Sequence, residues 1–313
     1  MKPQLANDVD FDTLPYPVWG MAKIDGVRAM TTTGRLTGRS LDPFKGSGVS
    51  EMFSDAELAG FDGEMTLGRD PTADRLCSLT TGAMGAFKGI TEPPDLHWWL
   101  FDMLTPDTVG RDYADRYRAL ERKLRSMAYD PRIHIVPAKG VANKAEALAL
   151  YKEYLDAGYE GIIFRNPRAK AKPGRPGKAL QELVRAKPWM DSELLVTGVT
   201  EGEKNNNEKK KNTLGNSERS SAKAGKVPNG QVGSIQGTLL EEIHSPVTGA
   251  LLFAKGLPVT ISSGKMTEKE AAFYFENQAQ IVGHIAKFQH LAHGIKDLPR
   301  MGGYISFRLP EDL

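Results

Sequence analysis

The stretch "MAKIDGVRAM" (residues 21–30) places two cations and one carboxylate inside an otherwise apolar run. Lys23, Asp25 and Arg28 are flanked by Met, Ala, Ile and Val, which are common in buried segments. Asp-Gly is a favoured two-residue turn because it tolerates positive φ, so one interpretation is a β-hairpin with solvated charges. The other is that Lys23 is a nucleophile held close to the core. The residues downstream distinguish the hairpin interpretation from the nucleophile interpretation.

Bulk composition limits the classes of function. The chain has 313 residues, enough for one large domain or two smaller ones, and 40% of them are hydrophobic, which allows a sizeable core. Lys and Arg number 41 against 39 Asp and Glu, so the net charge is only +2. Any binding to nucleic acid must therefore come from local patches rather than from global charge.

The cysteine count and the hydropathy pattern predict the compartment. The single cysteine, Cys77, excludes an internal disulfide and a four-cysteine zinc site, and it fits a reducing compartment. The first residues are polar and acidic and lack the apolar segment of a signal peptide. Apolar runs such as "GALLFAKGLPVTI" are too short to span a bilayer. We therefore expect a cytoplasmic protein.

Strand-like runs recur through the first 190 residues without a strict order. Short β-like runs separated by glycines cover residues 17–39. "FDGEMTLG" from Phe61, "LHWWLFDML" from Leu96 and "YEGIIFRNP" from Tyr159 are predicted to be further strands.

Two amphipathic helices are predicted between these strands. The segment "ADRYRALERKLRSM" is predicted to be one of them. A second helix over residues 144–157 has Leu148, Tyr151 and Leu155 on one face and ends at Gly158. Because strands and helices mix without a regular β-α-β order, the pattern favours the α+β class.

The composition changes near Met190. Residues 165–187 hold eight Lys or Arg and one acid. Residues 201–231 are rich in Lys, Asn and Ser, with seven Lys or Arg and four Glu, and are predicted to form a disordered or loosely ordered loop. Several strands and the helix "MTEKEAAFYFENQAQIV" follow, which is typical of a small closed barrel of the OB type.

The motif at Lys23 is followed, in order, by "LTGRSLDPF", "FDGEM", "WWLFDML", "YEGIIFR" and "LVRAKPW". This ordered set resembles the covalent nucleotidyltransferase superfamily, and in particular the short ATP-dependent DNA ligases typical of bacteriophages. The resemblance extends from "PQLA" near the start to "PRMGGYISFR" near the end. It implies an ATP-grasp-like adenylation domain of antiparallel sheets and helices over residues 1–190. A β-barrel OB-fold DNA-binding domain is expected over residues 191–313.

The resemblance implies that Lys23 takes AMP from ATP and expels pyrophosphate. AMP then passes to the 5′-phosphate at a nick, and the 3′-hydroxyl attacks to seal the strand. A lysine amine attacks phosphorus only when it is unprotonated, and neighbouring cations lower the pKa of an amine. The expected cations, which also hold the nucleotide, are a bound Mg²⁺ together with Arg28, Arg39, Arg165, Arg185 and Lys187.

Three acids are expected at the nucleotide. By resemblance, Glu64 and Glu160 contact the ribose or hold Mg²⁺ or another divalent cation through oxygen ligands. Asp25 is expected to orient Lys23 or the water shell of the metal. Taken singly, "DGE" and "EG" are common turn sequences, and Asp62 is predicted to be a turn residue rather than a ligand.

Two further positions carry family roles. Phe101 matches the aromatic position that stacks on adenine, and a core aromatic beside Trp98 and Trp99 is the alternative. Arg308 in "SFRLP" lies at the family's last motif, which swings over the pyrophosphate of ATP during self-adenylation.

The basic pair in "LVRAKPW" matches the residues that reach the α-phosphate. Arg185 and Lys187 are spaced i, i+2 and so share one face of a strand. The chain departs mildly from the family pattern here, since Arg185 and Arg165 stand where lysine is common. Gly38 likewise replaces a frequent serine before Arg39.

Nicked double-stranded DNA is the expected partner of a monomeric protein, located in the host cytoplasm if the source is viral. Cations in the extended loop "RAKAKPGRPGK" are expected to neutralise phosphates, and the loop over residues 201–231 is expected to follow the duplex backbone and to order on contact. A solvated loop and an inert insertion are the respective alternatives. The residues concerned are Arg168, Lys170, Lys172, Arg175 and Lys178 in the first loop and Lys209, Lys210 and Lys211 in the second.

Rival functions share the lysine motif. An RNA ligase or a GTP-using mRNA capping guanylyltransferase has the same chemistry, whereas an NAD-dependent ligase needs a cysteine-based zinc module that one cysteine does not allow. A rival of another class is a non-catalytic nucleic-acid-binding barrel protein, against which the intact Lys23 argues.

Overall fold

The computed structural model divides the chain into two units, Met1–Lys187 and Pro188–Leu313. It describes residues 1–44, 47–53, 55–73, 75–127, 130–245, 249–295 and 298–308. In these ranges no helix is both long and apolar enough to cross a membrane.

Two sheets form the frame of the first unit. The five-stranded sheet has the order β1-β9-β8-β2-β7, and the four-stranded sheet has the order β3-β4-β5-β6. Most neighbours are antiparallel; β1 with β9 and β5 with β6 are parallel. The strands are β1 (Asn7–Asp8), β2 (Val18–Lys23), β3 (Val27–Met30), β4 (Phe61–Leu67), β5 (Leu96–Met103), β6 (Ile133–Ile135), β7 (Ala138–Val141), β8 (Gly161–Arg165) and β9 (Leu183–Ala186).

Four helices accompany these sheets. They are α1 (Ser47–Met52), α2 (Leu76–Ala86), α3 (Tyr113–Ser126) and α4 (Lys144–Asp156), with short 3₁₀ helices at Ala56–Leu58 and Lys178–Leu180. The prediction for α3 is confirmed: Tyr117 packs in the core of the five-stranded sheet and Leu120 in that of the four-stranded sheet. The helix α3 therefore packs into the cores of both sheets.

The most deeply buried face of α4 is offset by one residue from the stripe of Leu148, Tyr151 and Leu155. The residues that pack inward are Ala147, Leu150 and Tyr154, while Leu148 is 42% exposed. Both stripes have helical spacing, and they differ by a rotation of one residue. Tyr151 also packs against the core, at the border between the two stripes.

The hairpin interpretation of "MAKIDGVRAM" is also wrong. β2 pairs with β7 and β8, whereas β3 pairs with β4 in the other sheet. Ile24, Asp25 and Gly26 therefore carry the chain from one sheet to the other. A Cβ at Gly26 would lie 2.3 Å from the backbone oxygen of Met65, so close packing against β4 requires glycine here.

The second unit is a closed barrel of five strands in the order β10-β13-β16-β18-β17. This confirms the predicted OB-type barrel after an α+β unit. Its elements are β10 (Trp189–Asn205), β11 (Lys209–Lys211), β12 (Ser217–Arg219), β13 (Lys226–Leu239), β14 (Ile243–His244), β15 (Leu251–Phe253), β16 (Pro258–Ser262), α5 (Glu268–Glu276), β17 (Ile285–Ile295) and β18 (Leu298–Phe307), with 3₁₀ helices at Lys223–Gly225 and Gln278–Gln280. The helix α5 begins at a capping box of Thr267 and Glu270.

The segment 201–231 is not the irregular loop that its composition predicted. β10 and β13 continue their pairing as far as Asn205 and Lys226, and β11 and β12 form a second hairpin beyond them. Asn207 Nδ2 donates to the carbonyl oxygens of Ser220 and Ala222 at 2.9 and 2.8 Å. A two-stranded ribbon held by backbone and asparagine hydrogen bonds needs no apolar periodicity, which is why the hydropathy pattern did not reveal it.

Replacing Gly26 tests the crossing between the sheets. Gly26→Ala is expected to lower the free energy of unfolding by about 1–3 kcal/mol, because the new methyl group overlaps β4. Gly82→Ala is the control: it lies within α2, and among the described residues no atom outside the neighbouring helix backbone lies within 4 Å of an added Cβ. That control is expected to gain about 0.5–1 kcal/mol. Thermal unfolding measures both, and an unchanged midpoint for Gly26→Ala would contradict the close packing.

Candidate active site

Three neighbouring strands of the five-stranded sheet bring Lys23, Glu160 and Lys187 together. Lys23 ends β2, Glu160 immediately precedes β8, and Lys187 directly follows β9. The Glu160 carboxylate accepts hydrogen bonds from both amines, from Lys23 Nζ at Oε2 and from Lys187 Nζ at Oε1. Its backbone N–H donates to the Lys23 carbonyl at 3.0 Å, which fixes the two residues side by side.

The electrostatics of this trio follow from burial and from the two positive charges. The Glu160 side chain is 5% exposed, and those of Lys187 and Lys23 are 11% and 20% exposed. Burial alone would raise the pKa of the Glu160 carboxyl, but the charges of Lys23 and Lys187 outweigh it and hold that pKa below its ordinary value. Burial and the neighbouring Lys23 charge lower the pKa of the Lys187 amine. The structure thus gives Lys23 one of the cationic neighbours that the sequence predicted.

Glu64 lies across from this trio on the four-stranded sheet. It stands opposite Arg28 in β3 and opposite Trp99 in β5. Burial raises the pKa of its carboxyl to about 7; Lys23 and Arg28 oppose this rise, and Glu160 and Asp25 add to it. The structure therefore places the three predicted acids in one electrostatic neighbourhood with Lys23.

These acids suit a cation that binds together with phosphates. Within the described ranges no group of three metal-ligating side chains is arranged to hold a metal ion. Mg²⁺ usually takes one or two carboxylates and completes its shell with water and substrate phosphates. Glu64 and Glu160 can supply these one or two carboxylates. A cation next to them would reduce the repulsion between the two carboxylates, which contributes to the raised pKa of Glu64.

Arg28 and Asp62 form an ion pair between neighbouring strands. Arg28 Nε and Nη2 donate to the two carboxylate oxygens of Asp62 at 2.5 and 2.6 Å. Asp62 is fully buried within β4, so its prediction as a turn residue is wrong. The turn propensity of Asp-Gly was overridden because Arg28, on the adjacent strand, satisfies the buried carboxylate. The Arg28 guanidinium also lies 4.7 Å from the ring centre of Phe101.

Arg165, predicted to hold nucleotide, lies in the interior. It is 5% exposed, and Nη1 donates to Asp102 at 3.0 Å. Its guanidinium lies 4.5 Å from the ring centre of Tyr113 and 5.3 Å from that of Phe101. Asp102 also binds Arg116, and the sequence reading missed this cluster. In the sequence, this cluster was indicated only by Asp102, the acid directly after Phe101 in "LFDML".

The other predicted cations of the nucleotide site differ in exposure. Arg185 lies opposite Ile163 in the sheet, and its Nε donates to Asp8 of β1 at 2.9 Å. Arg39 is exposed in a turn that follows the bridge between Met30 and Thr37. Arg185 is close enough to Lys187 for its charge to help lower the pKa of the Lys187 amine, and Lys187 itself contacts Glu160.

Several cations of the loop over residues 168–178 are already paired within the first unit. Lys170 Nζ binds Asp112 at 2.8 Å, Lys172 Nζ binds Glu182 at 2.7 Å, and Arg175 donates to the carbonyl oxygen of Ala6. Arg168 and Lys178 are exposed.

In the second unit the predicted cations lie at two separate places. Lys209, Lys210 and Lys211 make up β11 and are exposed, with Lys210 3.1 Å from Glu208. Arg308 binds Glu193 at the start of β10 through Nε, at 2.5 Å, and through Nη2.

The raised pKa of Glu64 predicts a pH-dependent stability. The native state holds this proton more tightly than the unfolded chain, whose glutamate has a pKa of 4.5. The stabilisation is therefore complete below about pH 4.5 and is lost as the pH rises to about 7, by on the order of 2–3 kcal/mol. Glu64→Gln should remove this dependence in chemical unfolding from pH 5 to 8. Glu146→Gln, at the exposed start of α4, is the control, and a parallel pH profile for wild type and Glu64→Gln would contradict the assignment.

Comparisons with known proteins agree with this arrangement. The family model of the ATP dependent DNA ligase domain matches residues 17–182, more than half of the chain. A DNA ligase of African swine fever virus is 29% identical over 143 residues, which are 46% of this chain and 32% of the relative. DNA ligase 2 of Methanosarcina mazei is 31% identical over 90 residues, 28% of this chain and 15% of the relative. The match thus spans about a third of the length of the viral relative and a smaller share of the Methanosarcina mazei relative.

Solved structures share the fold over almost the whole chain. A Lig E DNA ligase superposes with a TM-score of 0.67 at 18% identity, covering 97% of this chain and 98% of that one. Chlorella virus DNA ligase-adenylate superposes with a TM-score of 0.51 at 22% identity, covering 99% of both chains. The match over residues 17–182 settles the classification. The chain belongs to the ATP-dependent DNA ligase family.

Proposed function

We propose that the protein uses ATP to seal nicks in duplex DNA, with Lys23 as the residue that carries AMP. The observation that carries this proposal is the trio of Lys23, Glu160 and Lys187. It presents a partly exposed amine beside a second ammonium group, with one carboxylate between them. Membership of the family supports ATP as the nucleotide donor and DNA as the acceptor.

The first step begins at the amine of Lys23. Its lone pair is available only after the amine leaves Glu160 and transfers a proton to solvent. A bond then forms between Nζ and the α-phosphorus of ATP. The bond from that phosphorus to the bridging oxygen breaks, and pyrophosphate leaves with the electron pair.

The remaining side chains are proposed to hold the nucleotide. Phe101 stacks on adenine, Glu64 binds the ribose, and Lys187 binds the α-phosphate. Glu64 and Glu160, with Asp25 nearby, would hold Mg²⁺, which would supply positive charge to the phosphates. The nucleotide site also contains Arg28, Arg39, Arg165 and Arg185. Arg308 acts on the pyrophosphate once its own side chain has left Glu193.

Two transfers complete the reaction. AMP passes from Lys23 to the 5′-phosphate at the nick, which breaks the bond between nitrogen and phosphorus and forms a DNA-adenylate. The 3′-hydroxyl then attacks the 5′-phosphate, AMP leaves, and the phosphodiester bond is made. We propose a monomer acting on nicked duplex DNA in the cytoplasm, that of the host if the source is viral.

The duplex is proposed to bind along two basic segments. In the loop over residues 168–178 the exposed Arg168 and Lys178 are best placed for phosphates, because Lys170, Lys172 and Arg175 already hold groups of the first unit. In the second unit the β11–β12 hairpin presents three consecutive exposed lysines. Contacts of this kind fix register on the backbone without reading sequence.

Mass spectrometry tests the role of Lys23. After incubation with ATP and Mg²⁺, the protein is expected to gain the mass of one AMP on Lys23, and Lys23→Ala should abolish the gain. Lys139→Ala, which removes a 49%-exposed lysine paired with Glu153, is the matched control and should keep it. Substituting GTP separates a capping guanylyltransferase from an ATP user, and nicked RNA against nicked DNA separates the two kinds of ligase. A folded wild-type protein that stays unmodified on Lys23 would overturn the proposal.

The salt dependence of DNA binding tests the β11–β12 hairpin. A variant with Lys209, Lys210 and Lys211 all changed to Gln is expected to weaken binding to nicked duplex. The slope of log K against log salt concentration should become shallower by about 3. The control changes Lys139, Lys144 and Lys152 to Gln, three exposed lysines that pair with acids of the first unit. Equal slopes for the hairpin variant and wild type would instead make the hairpin an inert insertion.

A further inference from the structure

Two buried aspartates face each other in the ladder between β4 and β5. Asp62 and Asp102 are register partners, and both side chains are 0% exposed. Burying a carboxylate is unfavourable unless a cation pairs with it. Each has its own arginine: Asp62 binds Arg28 through two hydrogen bonds of 2.5 and 2.6 Å, and Asp102 binds Arg165 at 3.0 Å.

The two arginines converge on a single aromatic ring, that of Phe101. The Cζ atoms of Arg28 and Arg165 lie 4.7 and 5.3 Å from the ring centre. A planar guanidinium bound to a fixed carboxylate has a fixed orientation, and its attraction to the π-face restrains the ring. The backbone carbonyl of Phe101 also accepts a hydrogen bond from Tyr113 Oη at 2.8 Å. Both the ring and the backbone of Phe101 are therefore held in place.

Asp102 also joins the two sheets of the first unit. It lies on β5 in the four-stranded sheet, whereas Arg165 comes from β8 in the five-stranded sheet. Arg116 of α3 adds two hydrogen bonds to Asp102 at 2.8 and 3.0 Å. Burial would raise the pKa of the Asp102 carboxyl, but the hydrogen bonds from Arg116 and the charge of Arg165 lower it, so the carboxylate stays ionised.

We propose that Asp62 and Asp102 are positioning residues, which orient Phe101 for the adenine ring of ATP through Arg28 and Arg165 without touching the nucleotide. The inference rests on the proposed function, since it needs Phe101 to receive the base. Their complete burial excludes the carboxylates from direct contact with a ligand that arrives from solvent. Neither aspartate belongs to the Lys23–Glu160–Lys187 trio, so the bond-forming group should remain intact when either is neutralised.

Adenylation kinetics separate this role from a catalytic one. For Asp62→Asn and Asp102→Asn, the KM for ATP in AMP transfer to Lys23 is expected to rise about tenfold, in line with the loss of part of one base-stacking contact. The rate at saturating ATP should fall by about twofold at most, because the Lys23–Glu160–Lys187 trio is unchanged. Asp130→Asn is the matched control: Asp130 also forms a two-bond pair with an arginine, Arg132, at 2.9 and 3.1 Å, away from Phe101. Its KM should stay at the wild-type value.

A double variant tests whether the aspartate acts through the ring. Combined with Phe101→Leu, Asp62→Asn should add nothing further to the KM, whereas independent structural damage would add. Additive effects, an unchanged KM, or a loss confined to the saturating rate would overturn the inference while wild type still takes up AMP. If both Asn variants fail to fold in thermal unfolding, the carboxylates serve the fold and the inference is overturned as well. Wild type that takes up no AMP overturns the proposed function, and this inference with it.

Discussion

One carboxylate between two ammonium groups is the contact on which the candidate site depends. Glu160 neutralises half of the positive charge that Lys23 and Lys187 bring to the ends of β2 and β9, and its backbone is tied to the Lys23 carbonyl. Without it, two buried like charges would repel each other. A phosphate is also an anionic hydrogen-bond acceptor, so under the proposed function a nucleotide phosphate would replace Glu160 as the partner of these amines.

The second constraint is the crossing of the chain between two sheets at Gly26. Lys23 closes a strand of one sheet, and four residues later Val27 opens a strand of the other. This short connection is what brings Glu64 on β4 into the electrostatic reach of Lys23. The motif spacing is therefore a requirement of geometry as much as of chemistry: a longer connection would separate the amine from the acid across from it.

Much of this could be predicted from sequence because the relevant signals are local. The order of the motifs indicated the family, which is confirmed. Short apolar runs located most strands, and helical amphipathic spacing located α3. Errors arose where a distant partner decided the outcome. From the sequence alone Asp62 looks like a turn residue, but Arg28 on the adjacent strand pairs with it inside the sheet. The contact between Arg165 and Asp102, 63 positions apart, was likewise not visible in the sequence. The roles of the individual site residues remain predictions, because they depend on a bound nucleotide.

The two-stranded ribbon that extends from β10 and β13 can vary among related sequences more freely than the barrel. Its strands are held by main-chain pairing and by asparagine amides, and both of its faces are largely open to solvent. Exposed side chains other than these asparagines can be exchanged at little cost in folding free energy, and the length of the hairpin can change without disturbing the barrel. Relatives of this protein should therefore differ most in length and charge at this point, while the residue count between Lys23 and Val27 stays constant.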